Sequence, residues 1–209
     1  MAVHGRSTLR DLFDDSPTPH IAHPPRTHHR HFYVATDGSY RPDGGGLGAV
    51  IEARDGTRVA RVAVSDAATD NNVAEYRALH LGLDVLAERT PRTARVGVLV
   101  DHDDLAANVN RAVLAGRDPE WIAERPVSVP AGSEHHWRGI RARIAGFDTL
   151  RAARIHSRDN PAHPLANDPT EYTHVNDRTD RCVLPDPVPT AGTEPGVPPP
   201  SRTEGPADD

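Results

Sequence analysis

Between residues 32 and 100 the sequence alternates in a way that few folds accommodate. Three β-prone runs come first, Phe32–Thr36, Leu47–Ala53 and Arg58–Val64. Asp55-Gly56 separates the second from the third. A tight turn of this kind matches the twist of two paired strands and predicts a hairpin. One long helical period follows over about 72–89. Ala74, Ala78, Leu81 and Val85 share one face, with Leu79, Leu83 and Leu86 beside it, and the pattern stops before Pro91. Arg95–Val100 is a fourth apolar run. A strand reached through a helix is expected to lie parallel to the strand before the crossover. A helix over about Asp103–Leu114 comes next, then an irregular connection over 115–134 that carries Trp121. His135–Phe147 has Trp137, Ile140, Ile144 and Phe147 on one helical face, and Leu150–Ile155 reads as a fifth strand. His156–Asp168 reads as a loop or short helix. The predicted fold class is α/β. It is a mixed five-stranded sheet, three antiparallel strands followed by parallel crossovers, flanked by helices.

A chain of 209 residues has room for one such domain and its tails. Residues 1–30 are rich in His and Pro and are expected to be a disordered arm, in which only Leu9–Phe13 has the pattern of a helical turn. Its histidines (His20, His23, His28, His29) have no regular ligand spacing. The folded domain is expected over 31–175. From 176 to 209 the chain is Pro-rich and acidic, without apolar residues to bury, and disorder is expected there too. No apolar run reaches the roughly 20 residues of a membrane helix. The N-terminus has no signal-peptide pattern, so a cytoplasmic location and no membrane partner are expected. Cys182 is the single cysteine, which excludes an intrachain disulfide and a Cys-cluster metal site. The formal net charge is −6, and all 24 basic residues are arginine. An acidic chain is a poor non-specific ligand for phosphate backbones, so any nucleic-acid role has to use a local site.

Three acids stand at comparable structural points. Asp37 follows the first apolar run, Asp101 ends the fourth, and Glu75 opens the helix between them. Each has a plain alternative. Asn72 and Glu75 fit a capping box, Asp37-Gly38 fits a turn, and Asp101 or Asp103 fits a helix cap. On the predicted topology, however, the first and fourth strands are neighbours and the helix brings Glu75 to the same spot. Three converging carboxylates repel one another unless cations hold them. Hard divalent ions such as Mg²⁺ take oxygen ligands of this kind. Two such ions about 3.5–4 Å apart stabilise the attacking and leaving oxygens of a phosphoryl displacement.

Asp37-Gly38-Ser39, Asn71-Asn72-Val73-Ala74-Glu75-Tyr76, Asp101, and Arg158-Asp159-Asn160-Pro161-Ala162-His163-Pro164-Leu165-Ala166 together resemble the ribonuclease H type I family, over roughly residues 31–170. The resemblance implies a ribonuclease H-like fold and a metal-dependent endoribonuclease that cuts the RNA strand of an RNA/DNA hybrid with two divalent ions, Mg²⁺ or Mn²⁺. It implies that Asp37, Glu75 and Asp101 are metal ligands and catalytic residues. His163 falls where the family carries a fourth acid. A neutral imidazole there adds no negative charge and favours Mn²⁺ over Mg²⁺. Gly38, Ser39, Asn71 and Asn72 would lie along the minor groove of the hybrid. Short amides both donate and accept hydrogen bonds, and contact to the 2′-hydroxyl is how a protein distinguishes RNA from DNA. His156 stands where many members place a mobile histidine that assists product release, and Asn160 is a further auxiliary candidate. Asp159 and Asp168 are the acids nearest in sequence that substitute spatially for the fourth carboxylate. His102 follows Asp101 where the family favours Ser. Arg138, Arg141 and Arg143 are the nearest substitute for the family's basic handle.

Two other classes stay open at this point. One is a non-catalytic module of the same fold that binds hybrid nucleic acid, or a protein partner through its two tails. The other is a nuclease of the same fold acting on structured DNA or single-stranded RNA. A monomer is expected.

Overall fold

The structure is a computed structural model that describes residues 7–16 and 30–172. In chain order the elements are α1 (Leu9–Asp14), β1 (Phe32–Ser39), β2 (Gly45–Ala53), β3 (Arg58–Asp66), α2 (Asn71–Arg89), β4 (Arg95–Val100), α3 (Asp103–Arg117), α4 (Glu134–Gly146), β5 (Thr149–Arg154) and α5 (His163–Asn167). Short 3₁₀ turns over Ser157–Asp159 and Pro169–Tyr172 flank α5. The sheet order is β3-β2-β1-β4-β5. β1 and β2, and β2 and β3, are antiparallel, whereas β4 lies parallel to both β1 and β5. The expected mixed α/β sheet is the observed one.

The central strands are buried on both faces, as continuous apolar runs dictate. Val34, Val96 and Val98 point to one side, where Tyr76, Leu79, Leu83 and Leu86 of α2 meet Leu105 and Val109 of α3 and Trp137 and Ile140 of α4. Tyr33, Ala35 and Leu99 point to the other side and pack with Leu9 and Phe13 of α1 and Leu165 of α5.

Within the arm over 1–30, α1 stands where the sequence offers a helical turn over Leu9–Phe13. Thr8 and Asp11 form a reciprocal capping box. The Leu9 backbone N–H donates to the buried Glu52 carboxylate at 2.9 Å. Phe13 meets Tyr33 edge-on with ring centroids 5.5 Å apart. A six-residue helix is marginal alone, and burial of its two apolar residues against the sheet is what holds it. The rest of that arm, with His20, His23, His28 and His29, lies outside the described residues, as does the 176–209 tail with Cys182. Among the described residues no helix is long and apolar enough to cross a membrane.

Three plain alternatives for the acids are also resolved. β1 continues through Asp37 and Gly38, so this pair is not a turn. α2 is capped by Asp70, whose side chain accepts from the Val73 N–H at 2.9 Å. The helix therefore starts before Asn72, and Glu75 lies beyond the capping-box position, with its side chain turned to the sheet. α3 is capped by His102, whose Nδ1 accepts from the Leu105 N–H at 3.2 Å, so Asp101 is left out of the cap.

Candidate active site

The parallel register of β1 and β4 pairs Ala35 with Leu99. Two residues further on, Asp37 and Asp101 emerge side by side at the end of the sheet. On the other side of Asp37, the β1–β2 hairpin pairs it with Gly48. The start of α2 packs on Gly38, whose backbone amide, beside the Glu75 carboxylate, favours its charged form. The Asp101 carboxyl lies within hydrogen-bond reach of both Asp37 and Glu75. Asp37 and Glu75 are each only 3% exposed, which makes a charge on either costly. Burial, with Asp101 beside it, pushes the Asp37 carboxyl up to about 8. Burial and the Asp101 and Asp37 charges likewise hold Glu75 well above the usual carboxylate range, the Gly38 N–H opposing them in part. Glu75 Oε2 is buried and has no hydrogen-bond partner.

α5 brings the fourth group. His163 Nδ1 sits 3.1 Å from Asp37 Oδ2, with its side chain nearly half exposed. Asp37, Asp101 and His163 each offer one ligand atom, and these atoms all lie within 4.8 Å of one another. Glu75 stands behind this trio. Crowded carboxylates with raised proton affinity, together with a partnerless buried carboxylate oxygen, fit a divalent cation. The donor set is oxygen-rich with one imidazole, which suits Mg²⁺ or Mn²⁺. Asp37, Asp101 and His163 would hold the ion, with Glu75 behind them.

The remaining predicted residues fall into two groups. Asn71 and Asn72 are exposed at the start of α2, beside the cluster. Asn72 Oδ1 is 2.9 Å from His102 Nε2. Because His102 Nδ1 accepts from Leu105, Nε2 carries the proton and donates, and the Asn72 amide NH₂ is left facing outward. Ser39 is buried, and its hydroxyl is committed inside the fold. It donates to the Ala166 carbonyl at 2.6 Å and accepts from the Gly46 N–H. Asn160 is also buried. Its amide donates to the Thr36 carbonyl at 2.9 Å and accepts from the Ala162 N–H, bracing the loop before α5. His156 is exposed after β5 and outside the ligand cluster. Asp159 pairs with Arg158, and Asp168 with Arg41, so neither takes the fourth position.

Arg143 is bound to Asp84 at 2.6 Å. Arg141 lines a cleft of about 620 Å³ with Arg111, Arg117 and Trp121, and this cleft holds none of the site acids. Asn167 is a residue the motif reading passes over. Its Nδ2 donates to His163 Nε2 at 2.9 Å. The signal was its position four residues after His163 in the short helix, where side chains share a face.

No family model matches the sequence, and no curated protein matches it. Solved structures do. The N-terminal RNase H domain of a Mycobacterium tuberculosis protein, solved as a fusion with maltose-binding protein, matches with TM-score 0.50 and 26% identity, covering 66% of this chain and 96% of that one. RNase H1 from the halophilic archaeon Halobacterium salinarum matches with TM-score 0.50 and 21% identity, covering 67% of this chain and 97% of that one. A foamy viral protease–reverse transcriptase, solved with an RNA/DNA hybrid, matches with TM-score 0.50 and 14% identity over 78% of this chain and 22% of its own. The two matches of lower identity share the fold. The likeness to the mycobacterial domain supports a ribonuclease H-type family for this chain.

Proposed function

We propose that the protein is a metal-dependent endoribonuclease that cleaves the RNA strand of an RNA/DNA hybrid. The observation that carries the reading is the junction at Asp101, whose carboxyl reaches both Asp37 and Glu75 while Asp37 also meets His163. Likeness to the mycobacterial RNase H domain supports the substrate class, as does the hybrid bound to the viral protein of the same fold.

Divalent ions bound here supply water activation and neutralise charge at the 3′-oxygen leaving group. Asp37, whose carboxyl burial and the neighbouring Asp101 push up to about 8, would give up its proton when an ion binds. Glu75, buried beside Asp101 with Oε2 unpartnered, would complete the carboxylate set that holds the ions. His163 stands at the exposed rim, its ring held between Asp37 and Asn167. Asn71 and Asn72 present amides to a 2′-hydroxyl and the neighbouring base edges. In the reaction a water oxygen bonds to phosphorus, the bond from phosphorus to O3′ breaks, and O3′ takes up a proton. The products carry 5′-phosphate and 3′-hydroxyl ends.

The test is cleavage of a labelled hybrid by the full chain in Mg²⁺ and in Mn²⁺, with Asp101→Asn as control. Metal-dependent cutting of the RNA strand that the variant lacks is expected. Equal turnover by Asp101→Asn would sink the assignment. A histidine at position 163 in place of a fourth acid adds no negative charge to the site and favours a second reading, a binding module without turnover. That reading predicts hybrid binding in both metals with no product in either.

A further inference from the structure

Away from the carboxylates, α2 and α4 meet over three imidazoles. His80 lies on α2, and His135 and His136 open α4. His80 Nδ1 and His136 Nδ1 face each other at 3.2 Å. The ring centroids are 5.4 Å apart for His80 and His136, 5.5 Å for His135 and His136, and 6.3 Å for His80 and His135.

We propose that His80, His136 and His135 form a second cation site, for a transition-metal ion of the zinc class, that joins α2 to α4. Zn–N bonds of about 2.0–2.1 Å place two nitrogens of a tetrahedral site about 3.3 Å apart, close to the observed spacing. His80 Nε2 faces Asp84 Oδ2 at 3.6 Å, and Asp84 is held by Arg143 Nε at 2.6 Å. A carboxylate behind the outer ring nitrogen is the usual support of a metal-ligating histidine. The ring of His80 also has a space made for it. A Cβ on Gly139 would lie 2.0 Å from His80 Nε2, so α4 admits the ring only because that position is glycine. Burial, then the neighbouring His80, Arg77 and His135, hold His136 below the ordinary imidazole range. The neutral ring is the ligating form. His80 and His136 are partly buried while His135 is exposed, so an ion has a path in and His135 can swing to supply the third nitrogen. An all-imidazole set selects Zn²⁺, Cu²⁺ or Ni²⁺ over Mg²⁺, in contrast to the oxygen-rich carboxylate cluster.

The experiment is Zn²⁺ titration of the full chain by calorimetry, with Mg²⁺ in excess to occupy oxygen sites. Co²⁺ absorption spectra in the visible range report the ligand geometry. Wild type is compared with His136→Asn and with Gly139→Ala. The histidines near the N-terminus are the same in all three, so the readout is a difference. His136→Asn is expected to remove one Zn²⁺ equivalent and the tetrahedral Co²⁺ bands. Gly139→Ala keeps every ligand but pushes His80 aside. It is expected to weaken the same equivalent by about 10–100-fold, the loss typical of disturbed support around a ligand. Circular dichroism checks that both variants fold. Identical Zn²⁺ stoichiometry and affinity in all three proteins would overturn the proposal and leave the 3.2 Å contact as a hydrogen bond between two tautomers.

Discussion

Gly38 lies so close beneath α2 that a Cβ there would be 2.2 Å from the Ala74 carbonyl carbon. The atoms in the way are backbone, so they have no rotamer to escape into. Gly38→Ala is therefore expected to lift the start of α2 and move Glu75 away from Asp101. The overpacking should cost about 1–3 kcal/mol, and hybrid cleavage should fall well beyond what that loss of stability explains. Paired thermal melts and turnover measurements check this; a variant with wild-type turnover would contradict it.

The buried carboxyls give the metal-free protein a pH dependence of definite sign. An unfolded Asp loses its proton near 3.9, whereas folded Asp37 keeps its proton up to about 8. Between these values the folded chain binds more protons, so stability falls as pH rises. Glu75 acts in the same direction. The melting temperature without divalent ions should decline from pH 5 to pH 8, and the decline should be shallower in Asp37→Asn. Mn²⁺ needs the deprotonated carboxyls, so it should raise the melting temperature more at pH 8 than at pH 5.

His163 sets the metal preference if it is a ligand. His163→Asp replaces a nitrogen by oxygens and adds a negative charge, which suits Mg²⁺. The ratio of turnover in Mg²⁺ to turnover in Mn²⁺ should rise in this variant. An unchanged ratio would place the ring outside the ion's shell.

His102 both caps α3 and orients the Asn72 amide. Serine is itself a good cap, so His102→Ser should keep the helix and lose only the bond to Asn72. One hydrogen bond is worth about 1 kcal/mol, so KM for hybrid should rise about fivefold with kcat held. Equal effects on both constants would point instead to a displaced Asp101.

α1 is part of the domain. Phe13→Ala removes a ring packed on Tyr33 and should cost about 3–5 kcal/mol. At roughly 2–4 °C per kcal/mol that lowers the melting temperature by on the order of 10 °C.

What the sequence made legible follows from adjacency rules. The Asp55-Gly56 signal joins β2 to β3, and the crossover through α2 lays β4 parallel to β1, which brings Asp37 next to Asp101. The aim of α2 follows from its apolar stripe. Ser39 and Asn160 show where this reading stops. Their chemistry was plain, but their partners, Ala166 and Thr36, lie more than a hundred residues away in sequence, and burial turned both side chains inward. Asp70 took the cap because it stands one residue before the helix, although Asn72 and Glu75 satisfied the local pattern equally well. α1 was legible only as a helical-turn pattern at Leu9–Phe13; its docking on the sheet through Leu9 and Phe13 was not, because the face that receives it is built by residues far along the chain.

α5 rests on β2 at two bare positions. A Cβ on Gly48 would lie 2.4 Å from the Ala162 carbonyl oxygen, and one on Gly46 would lie 2.5 Å from that of Ala166. The height of His163 above the sheet is thus set by backbone against backbone, with no side chain between. The segment that carries the histidine is not a portable cassette. Moved onto a relative whose second strand has side chains at these two places, it would ride up by the thickness of a methyl group and its imidazole would miss the aspartates. Anyone recombining such domains has to carry the strand and the helix together.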